Sequence, residues 1–178
     1  MSAGALVIRE SREADIAAIQ AIYAEHVLHG TATFEEVPPD SAEMARRRAA
    51  IVAPGLPYLV AEEAGRLIGF GYAGTYRPRS AYRFTVEDSI YLAPDCTGRG
   101  IGSALLAELI VRSTALGMRQ MIAVIGDSAN RASIRVHERH GFQMTGVLTN
   151  VGLKFGRWLD TVIMQRSLGS LDQPDRKS

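Results

Sequence analysis

The sequence predicts a single domain of the α/β (α+β) class, in which helices cover both faces of a mixed β-sheet. The chain has 178 residues, of which 47% are hydrophobic and 22% charged, so it can bury one full core. Apolar periodicity predicts the element order β-α-α-β-β-β-α-β-α-β-β. Helices interrupt these strands irregularly around a central hairpin, which argues against a regular doubly wound sheet. We expect the domain to span residues 1–178, with a frayed polar tail over about 170–178.

The N-terminal part predicts one strand and two helices. LVIRE, residues 6–10, has the pattern of a strand. The apolar residues that follow recur on one helical face, namely Ile16, Ile19, Tyr23 and Val27. Gly30 is expected to end that helix. Asp40 and Glu43 have the spacing of a capping box and predict the start of a second helix.

The rest of the chain predicts a hairpin, a third strand, two helices and three more strands. The hairpin is expected to turn at residues 63–65, between two apolar runs. The later elements follow in order: a strand over Phe84–Leu92, a helix over Gly102–Leu116, a strand over 119–126, a helix from Asn130 to Gly141, and strands around Gln143–Thr149 and Trp158–Gln165.

The composition argues against several classes of partner. The net charge is +1, so no broad attraction to nucleic acid or to a membrane surface is expected. No run of about 18 apolar residues predicts a membrane span. The first residues, MSAGALVIRES, lack the charged start and apolar run of a signal peptide. The single cysteine, Cys96, permits no internal disulfide, and together these features favour the cytoplasm.

Two adjacent acids lie in the third strand, FTVEDSIYL, where an unpaired buried charge would be costly. Strand alternation places Glu87 on one side with Ser89 and Tyr91, and Asp88 on the other. Glu87 therefore faces a polar cleft, where partial burial would raise its pKa towards that of a general base. The alternative is a structural acid paired with Arg83. Asp88 is expected to pair with an arginine or a backbone donor.

A glycine-spaced loop follows this strand and precedes a helix. Gly98, Gly100 and Gly102 leave backbone N–H groups bare next to the positive end of the helix, which favours a phosphate cradle. Arg99 can add charge there. The loop is no P-loop, because GxxxxGK[ST] is absent, and no dinucleotide fingerprint, because residue 103 is serine. A tight turn without a ligand is the alternative.

Residues 90–142 resemble the acetyl-CoA-dependent N-acetyltransferases of the GNAT superfamily. Their [QR]-x-x-G-x-[GA] motif corresponds to TGRGIG at 97–102, with Thr97 as a departure at the first position. More closely, the chain resembles phosphinothricin and methionine sulfone or sulfoximine N-acetyltransferases over about residues 8–167. The segments that carry this resemblance are Thr33-Phe34, AYRFTVEDSIY (81–91), IAVIG (122–126), NRASIRVHERHGF (130–142) and VGLKFGRWLD (151–160).

The resemblance implies a GNAT-type sheet that is mostly antiparallel and splayed at the acetyl-CoA site. It implies that the pantetheine arm pairs with Ile90-Tyr91-Leu92, across a gap from 121–125. The remaining implied cofactor contacts are Gly98, Arg99, Gly100, Ile101, Gly102, Ser103, Asn130 and Arg139. A plain helix cap is the alternative for Asn130, and both roles are compatible.

The resemblance also implies direct acetyl transfer, with Glu87 as the catalytic base. No metal is expected, because His26 and His29 match no metal-ligand spacing such as HExxH. His137 is implied as a second base or a substrate contact, and a hydrogen-bonded packing histidine is the alternative. Tyr91 can either donate its phenol proton to the leaving thiolate or pack. Cys96 has no local histidine partner, so a nucleophilic role is not expected.

The acceptor site is expected in the segment TYRPRSAYR and the early loop. Arginine holds carboxylates through paired hydrogen bonds. The resemblance implies substrate contacts in the same segments, so the predicted contacts are Phe34, Arg77, Arg79, Ser80, Ala81, Tyr82 and Arg83. A solvated loop is the alternative for the arginines. Lys154 or Arg157 could meet an acidic substrate group, and the choice between them stays open.

The leading interpretation is an enzyme that acetylates the α-amine of a small amino-acid-like compound. A protein N-terminal or lysine acetyltransferase is an alternative. A non-catalytic acyl-CoA-binding module is another, against which the glutamate and the glycine loop both argue. A homodimer is implied by the resemblance alone.

Overall fold

The computed structural model describes residues 5–170, so residues 171–178 of the predicted tail lie outside the described residues. Four α-helices and seven strands follow in the predicted order. The strands are β1 (Val7–Glu10), β2 (Tyr58–Glu63), β3 (Arg66–Thr75), β4 (Thr85–Leu92), β5 (Gln120–Gly126), β6 (Gln143–Lys154) and β7 (Arg157–Ser167). The helices are α1 (Ile16–His29), α2 (Ser41–Val52), α3 (Ile101–Ala115) and α4 (Arg131–Arg139).

The strands form one mixed sheet in the order β1-β2-β3-β4-β5-β7-β6. Neighbouring strands are antiparallel except β4 and β5, which are parallel. The predicted fold class, a mostly antiparallel mixed sheet, is confirmed. Within residues 5–170, no helix combines the length and the apolar character needed to cross a membrane.

Helices cover both faces of the sheet, as predicted. On one face, Tyr91 of β4 packs edge-on against Tyr23 of α1, with 4.9 Å between ring centroids. On the other face, α3 lies close to β3. A Cβ added at Gly71 would lie 3.3 Å from Leu109, so glycine allows this close approach. Helices α1 and α2 therefore cover one face of the sheet, and α3 and α4 cover the other.

Side-chain caps fix two helix starts at the residues that the sequence indicates. Asp40 accepts a hydrogen bond of 2.7 Å from the backbone N–H of Glu43 at the start of α2. Asn130 accepts one of 3.2 Å from the N–H of Ser133 at the start of α4. Each bond satisfies a backbone donor that the first helical turn leaves free.

The last two strands are longer than predicted. The sequence suggests a break near residue 150, but β6 continues to Lys154 through a register shift between Leu148 and Gly152. Asn150 adopts a left-handed φ of 54° and its N–H donates to Asp160 at 3.0 Å. The predicted strand end is therefore a bulge inside one long hairpin.

Lys154 ties this hairpin to the end of α1. The side chain is 2% exposed, and its ammonium group donates hydrogen bonds of 2.8 Å to the carbonyl oxygens of Gly30 and Thr33. Burial lowers the pKa of Lys154. Its donors satisfy carbonyls at the C-terminal end of a helix, so the residue is structural and is not available to a substrate.

Replacing Lys154 with methionine should destabilise the fold by about 3 kcal/mol, because two buried carbonyls lose a charged donor at nearly constant volume. Urea unfolding followed by circular dichroism measures the change. Arg157→Met, on the exposed turn of the same hairpin, is the matched control and should change stability by less than about 0.5 kcal/mol. Equal effects for the two variants would contradict the structural role of Lys154.

Candidate active site

The site begins where β4 and β5 part. Their parallel pairing covers Thr85–Asp88 of β4 and Gln120–Ala123 of β5. Beyond this point β4 continues along β3, while β5 continues along β7. We call the end of the β4–β5 pairing, after Asp88 and Ala123, the fork. It opens into a cleft of about 560 Å³ with unpaired backbone edges on both sides.

The glycine loop closes the outer end of this cleft. Gly98 and Gly100 have φ angles of 74° and 80°, a region that favours glycine, and α3 begins at the next residue, Ile101. Loop residues that line the cleft are Thr97, Gly98, Gly100, Gly102 and Ser103. Exposed N–H groups at a helix N-terminus attract anions, so this end of the cleft fits a phosphate group.

Helix α4 forms the wall opposite the loop. Asn130 lies at its start and His137 near its end, and both line the cleft. Arg135 and Arg139 also line it, one helical turn apart. In the described part of the chain, neither arginine forms an ion pair with a carboxylate. These two cations therefore add positive charge at the mouth of the cleft.

Helix α1 contacts the end of β4 that lines the cleft. The Nε2 atom of His26 lies 2.8 Å from the carbonyl oxygen of Leu92, the last residue of β4. The ring of Tyr91 contacts the rings of Tyr23, Phe70 and His26. Burial raises the pKa of Tyr91 well above its usual value, and its ring packs among these three rings.

Glu87 lies on the α1 face at the fork, with Gly74 of β3 as its cross-strand partner. A Cβ added at Gly74 would meet no atom closer than 4.0 Å, so open space lies beside the carboxylate. Burial raises the pKa of Glu87, the negative charge of Asp88 raises it further, and the Arg77 cation opposes the rise. Half-buried and bonded to no other group among residues 5–170, Glu87 has the environment of a general base.

The alternative partner for Glu87 is engaged elsewhere. The guanidinium of Arg83 lies 4.8 Å from the ring centroid of Phe84 and donates to the carbonyl oxygen of Ser80. An ion pair between Glu87 and Arg83 is therefore not formed, which leaves the carboxylate free to take a proton.

Asp88 points to the opposite face, as alternation predicts, but its expected partner was wrong. Its Oδ2 atom lies 3.0 Å from Nε2 of His137, and among residues 5–170 neither an arginine nor a backbone donor is hydrogen-bonded to the carboxylate. The two side chains are 2% and 7% exposed, and both line the cleft. The strand supplies the acid and α4 supplies the histidine, so the pair joins the sheet to the cleft wall.

The predicted acceptor residues lie in two places. Arg77, Arg79, Ser80, Ala81, Tyr82 and Arg83 are exposed in the connection from β3 to β4. Arg77 lies over the ring of Tyr76, which packs edge-on against Tyr82. Phe34 lies apart from them, against Gly126 and Gly152, where an added Cβ would come within 3.1 and 2.3 Å of its ring.

The cleft brings together most of the predicted cofactor residues. They are Ile90, Tyr91, Leu92, Gly98, Gly100, Gly102, Ser103, Asn130 and Arg139. Two others lie outside its lining. The guanidinium of Arg99 turns away to Glu63 at 2.7 Å, and Ile101 is buried in the core. Arg99 therefore pairs with Glu63 and does not add its charge to the cleft as predicted.

The sequence-based predictions missed three polar residues of the cleft, His26, Ser133 and Arg135. The four-residue spacing of Arg131, Arg135 and Arg139 could have indicated Arg135, because such residues share a helix face. No sequence signal could have indicated His26, since its partner Leu92 is 66 residues away.

The comparisons with known proteins agree with this geometry. Residues 8–163 match the family of acetyltransferase (GNAT) domains. The chain belongs to the GNAT acetyltransferase family. The predictions of this family and of an acyltransferase activity are therefore confirmed.

Similar GNAT proteins include named enzymes. A phosphinothricin N-acetyltransferase of Alcaligenes faecalis is 56% identical over 168 residues, which are 94% of this chain and 85% of that protein. An L-methionine sulfoximine/L-methionine sulfone acetyltransferase of Pseudomonas paraeruginosa is 43% identical over 162 residues, which are 90% of this chain and 94% of that protein. The crystal structure of a phosphinothricin acetyltransferase from Sinorhizobium meliloti with acetyl-CoA has a TM-score of 0.89 at 53% identity, over 95% of this chain and 90% of that chain.

Proposed function

We propose that this protein transfers the acetyl group of acetyl-CoA to the α-amine of a small amino-acid-like compound such as phosphinothricin or methionine sulfone. The observation that carries the proposal is the fork, where the raised-pKa carboxylate Glu87 faces α1 next to Asp88, and Asp88 lines a cleft whose outer end is a glycine cradle. The names of the similar enzymes support an acceptor of this class.

The cleft fits acetyl-CoA along its whole length. The edge of Ser89–Tyr91 that no longer pairs with β5 can hydrogen-bond an extended amide-containing arm as an added strand would. The loop at Gly98–Ser103 and the cations Arg135 and Arg139 suit its phosphates. When bound, acetyl-CoA supplies an activated acyl group at the fork. Acyl-CoA binding without catalysis would leave the environment of Glu87 unexplained.

Acetyl transfer requires a neutral amine, hydrogen-bond donors for the developing oxyanion and a proton for the leaving thiolate. Glu87 meets the first need, since its ionised carboxylate can take a proton from the ammonium group of the acceptor. The open space beside Gly74 gives the acceptor room to approach it. The unpaired backbone of the fork offers N–H donors, and His137 lies on the cleft's other wall as a second titratable group.

The exposed arginines suit the acceptor's acidic groups. Arg77, Arg79 and Arg83 form no ion pair with any carboxylate of residues 5–170, although they lie in the segment that leads into Glu87. A carboxylate on the acceptor would therefore gain charged donors without displacing an existing partner. Phe34, which the packing of Gly126 and Gly152 fixes in place, is proposed as a wall of the same site.

We also propose that the protein acts as a homodimer in the cytoplasm. The β6–β7 hairpin forms a sheet edge that exposes the apolar side chains Val147, Leu148, Val151, Leu153, Phe155 and Trp158. An exposed apolar strand edge favours association with a second copy. Cys96 is buried as a free thiol, which is consistent with a reducing compartment.

Glu87→Gln should lower kcat by roughly 10²- to 10⁴-fold, because the base is lost while the shape of the site remains. In the native enzyme, kcat/KM should rise with pH through the Glu87 ionisation, at a pH above the usual glutamate range. The variant should lose this rise. Thiol-release kinetics from pH 5 to 9 measure both, with the exposed Glu25→Gln as the matched control. Acetyl transfer at the native rate by Glu87→Gln, with its fold and CoA affinity intact, would refute the assignment.

Arg79→Ala and Arg83→Ala should each raise KM for carboxylate-bearing acceptors by roughly tenfold, since a charged hydrogen bond is lost. KM for the matching amines without a carboxylate should stay unchanged. Steady-state kinetics with both acceptor types make the comparison, and Arg46→Ala on α2 is the control. An unchanged KM for carboxylate-bearing acceptors would remove these arginines from the site.

Trp158→Glu combined with Leu148→Glu should convert a dimer into a monomer, because both charges would lie in the apolar contact. Sedimentation velocity at micromolar concentration measures the mass. Val111→Glu, at an exposed apolar position of α3, is the control and should leave the dimer intact. A native chain that sediments as a monomer would contradict the proposed assembly.

A further inference from the structure

The buried pair of Asp88 and His137 has a hydrogen-bond arrangement that requires a proton between the two side chains. Nδ1 of His137 lies 2.8 Å from the carbonyl oxygen of Ser133. A carbonyl can only accept, so Nδ1 carries a hydrogen. If Nε2 carried none, its lone pair would face the Oδ2 atom of Asp88 at 3.0 Å, a repulsive contact for an ionised carboxylate. One shared proton therefore lies between Nε2 and Oδ2.

The surroundings favour placing that proton on the histidine. Burial alone lowers the pKa of His137, but the hydrogen bond and the negative charge of Asp88 outweigh it and raise the pKa. Strand β4 presents Asp88, α4 presents the Ser133 carbonyl, and the Phe142 ring packs edge-on with 4.9 Å between centroids. His140, at the end of α4, is bonded to Ser103 and has a pKa lowered mainly by burial, and Glu87 adds a further carboxylate on the opposite face of β4.

The pair and Glu87 occupy opposite sides of one strand. Adjacent strand residues point to opposite faces, so Glu87 faces α1 while Asp88 faces α4. Both are at the fork, where Asp88 is paired with Ala123, the last residue of β5 in the ladder. The second carboxylate oxygen of Asp88, Oδ1, is buried without a hydrogen-bond partner in the described part of the chain. Such an oxygen is costly to keep, which argues that Asp88 does more than pack.

We propose that Asp88 is a positioning residue that keeps His137 doubly protonated, so that Nε2 holds a proton on the side of the fork opposite the base Glu87. This role rests on the proposed acetyl transfer. Glu87 takes one proton from the acceptor's ammonium group, and the neutral amine attacks the thioester carbon. As the C–S bond breaks, its electron pair passes to sulfur, and the second proton of the attacking nitrogen reaches the thiolate through cleft water and completes the S–H bond. His137 keeps both ring protons in its bonds to Ser133 and Asp88, and the positive charge of its ring stabilises the departing thiolate.

The charge state can be measured in the protein without any ligand. Nitrogen-15 NMR of labelled histidine should show both ring nitrogens of His137 protonated at pH 7, with a titration above the usual histidine range. In Asp88→Asn the ring should be neutral at pH 7, because burial continues to disfavour its charge. His137→Gln assigns the signals. A neutral His137 in the native protein, or the same titration in Asp88→Asn, would overturn the proposal, and neither result depends on enzyme activity.

Kinetics then separate positioning from plain packing. Asp88→Asn should lower kcat by roughly ten- to hundredfold, with little change in the KM for acetyl-CoA, and should shift the alkaline fall of kcat/KM to lower pH. Asp95→Asn, an exposed acid paired with Arg66, is the matched control and should behave as native. An Asp88→Asn profile that matches the native one would overturn the role of Asp88. If the native protein acetylates no amino-acid-like acceptor while His137 is doubly protonated, the proposed function fails and the charge state assigned to His137 stands.

Discussion

The site depends on one feature of the sheet, the end of the β4–β5 pairing at Asp88 and Ala123. Parallel strands that stayed paired would satisfy each other's backbone and leave no gap. Here the outer half of β4 follows β3 and is fixed to α1 through His26 and the Leu92 carbonyl. All seven residues of β5 pair with β7, and only the first four also pair with β4. The fork therefore results from competing partners on each side, and its free backbone is what a cofactor arm can use.

The fork also explains why two acids are adjacent in a core strand. Alternation of a strand sends neighbouring side chains to opposite faces, so Glu87 and Asp88 reach different environments at the same height of the sheet. Glu87 is half-buried beside open space, and its pKa is raised mainly by burial. Asp88 is buried against His137. One dipeptide thus places a half-buried carboxylate on one side of the fork and a buried aspartate–histidine pair on the other.

Short sequence patterns correctly predicted the features that depend on neighbouring residues. The caps at Asp40 and Asn130, the glycine loop and the two directions of the acids all follow from short-range spacing, and the structure has them. What the sequence could not indicate are contacts between distant segments. The partner of Asp88 is 49 residues away, and the charge of Arg99 is taken by Glu63, 36 residues away. Such pairs depend on how the helices dock, which no spacing within one element encodes.

A crystal structure with acetyl-CoA and an unreactive acceptor analogue would show whether the fork is the reaction site. We predict the thioester at the fork between Asp88 and Ala123, with its sulfur on the His137 side. We predict the acceptor nitrogen on the α1 face, within hydrogen-bond distance of Glu87. A thioester bound outside the fork, or an acceptor nitrogen on the same side as His137, would contradict the division of roles between the two acids.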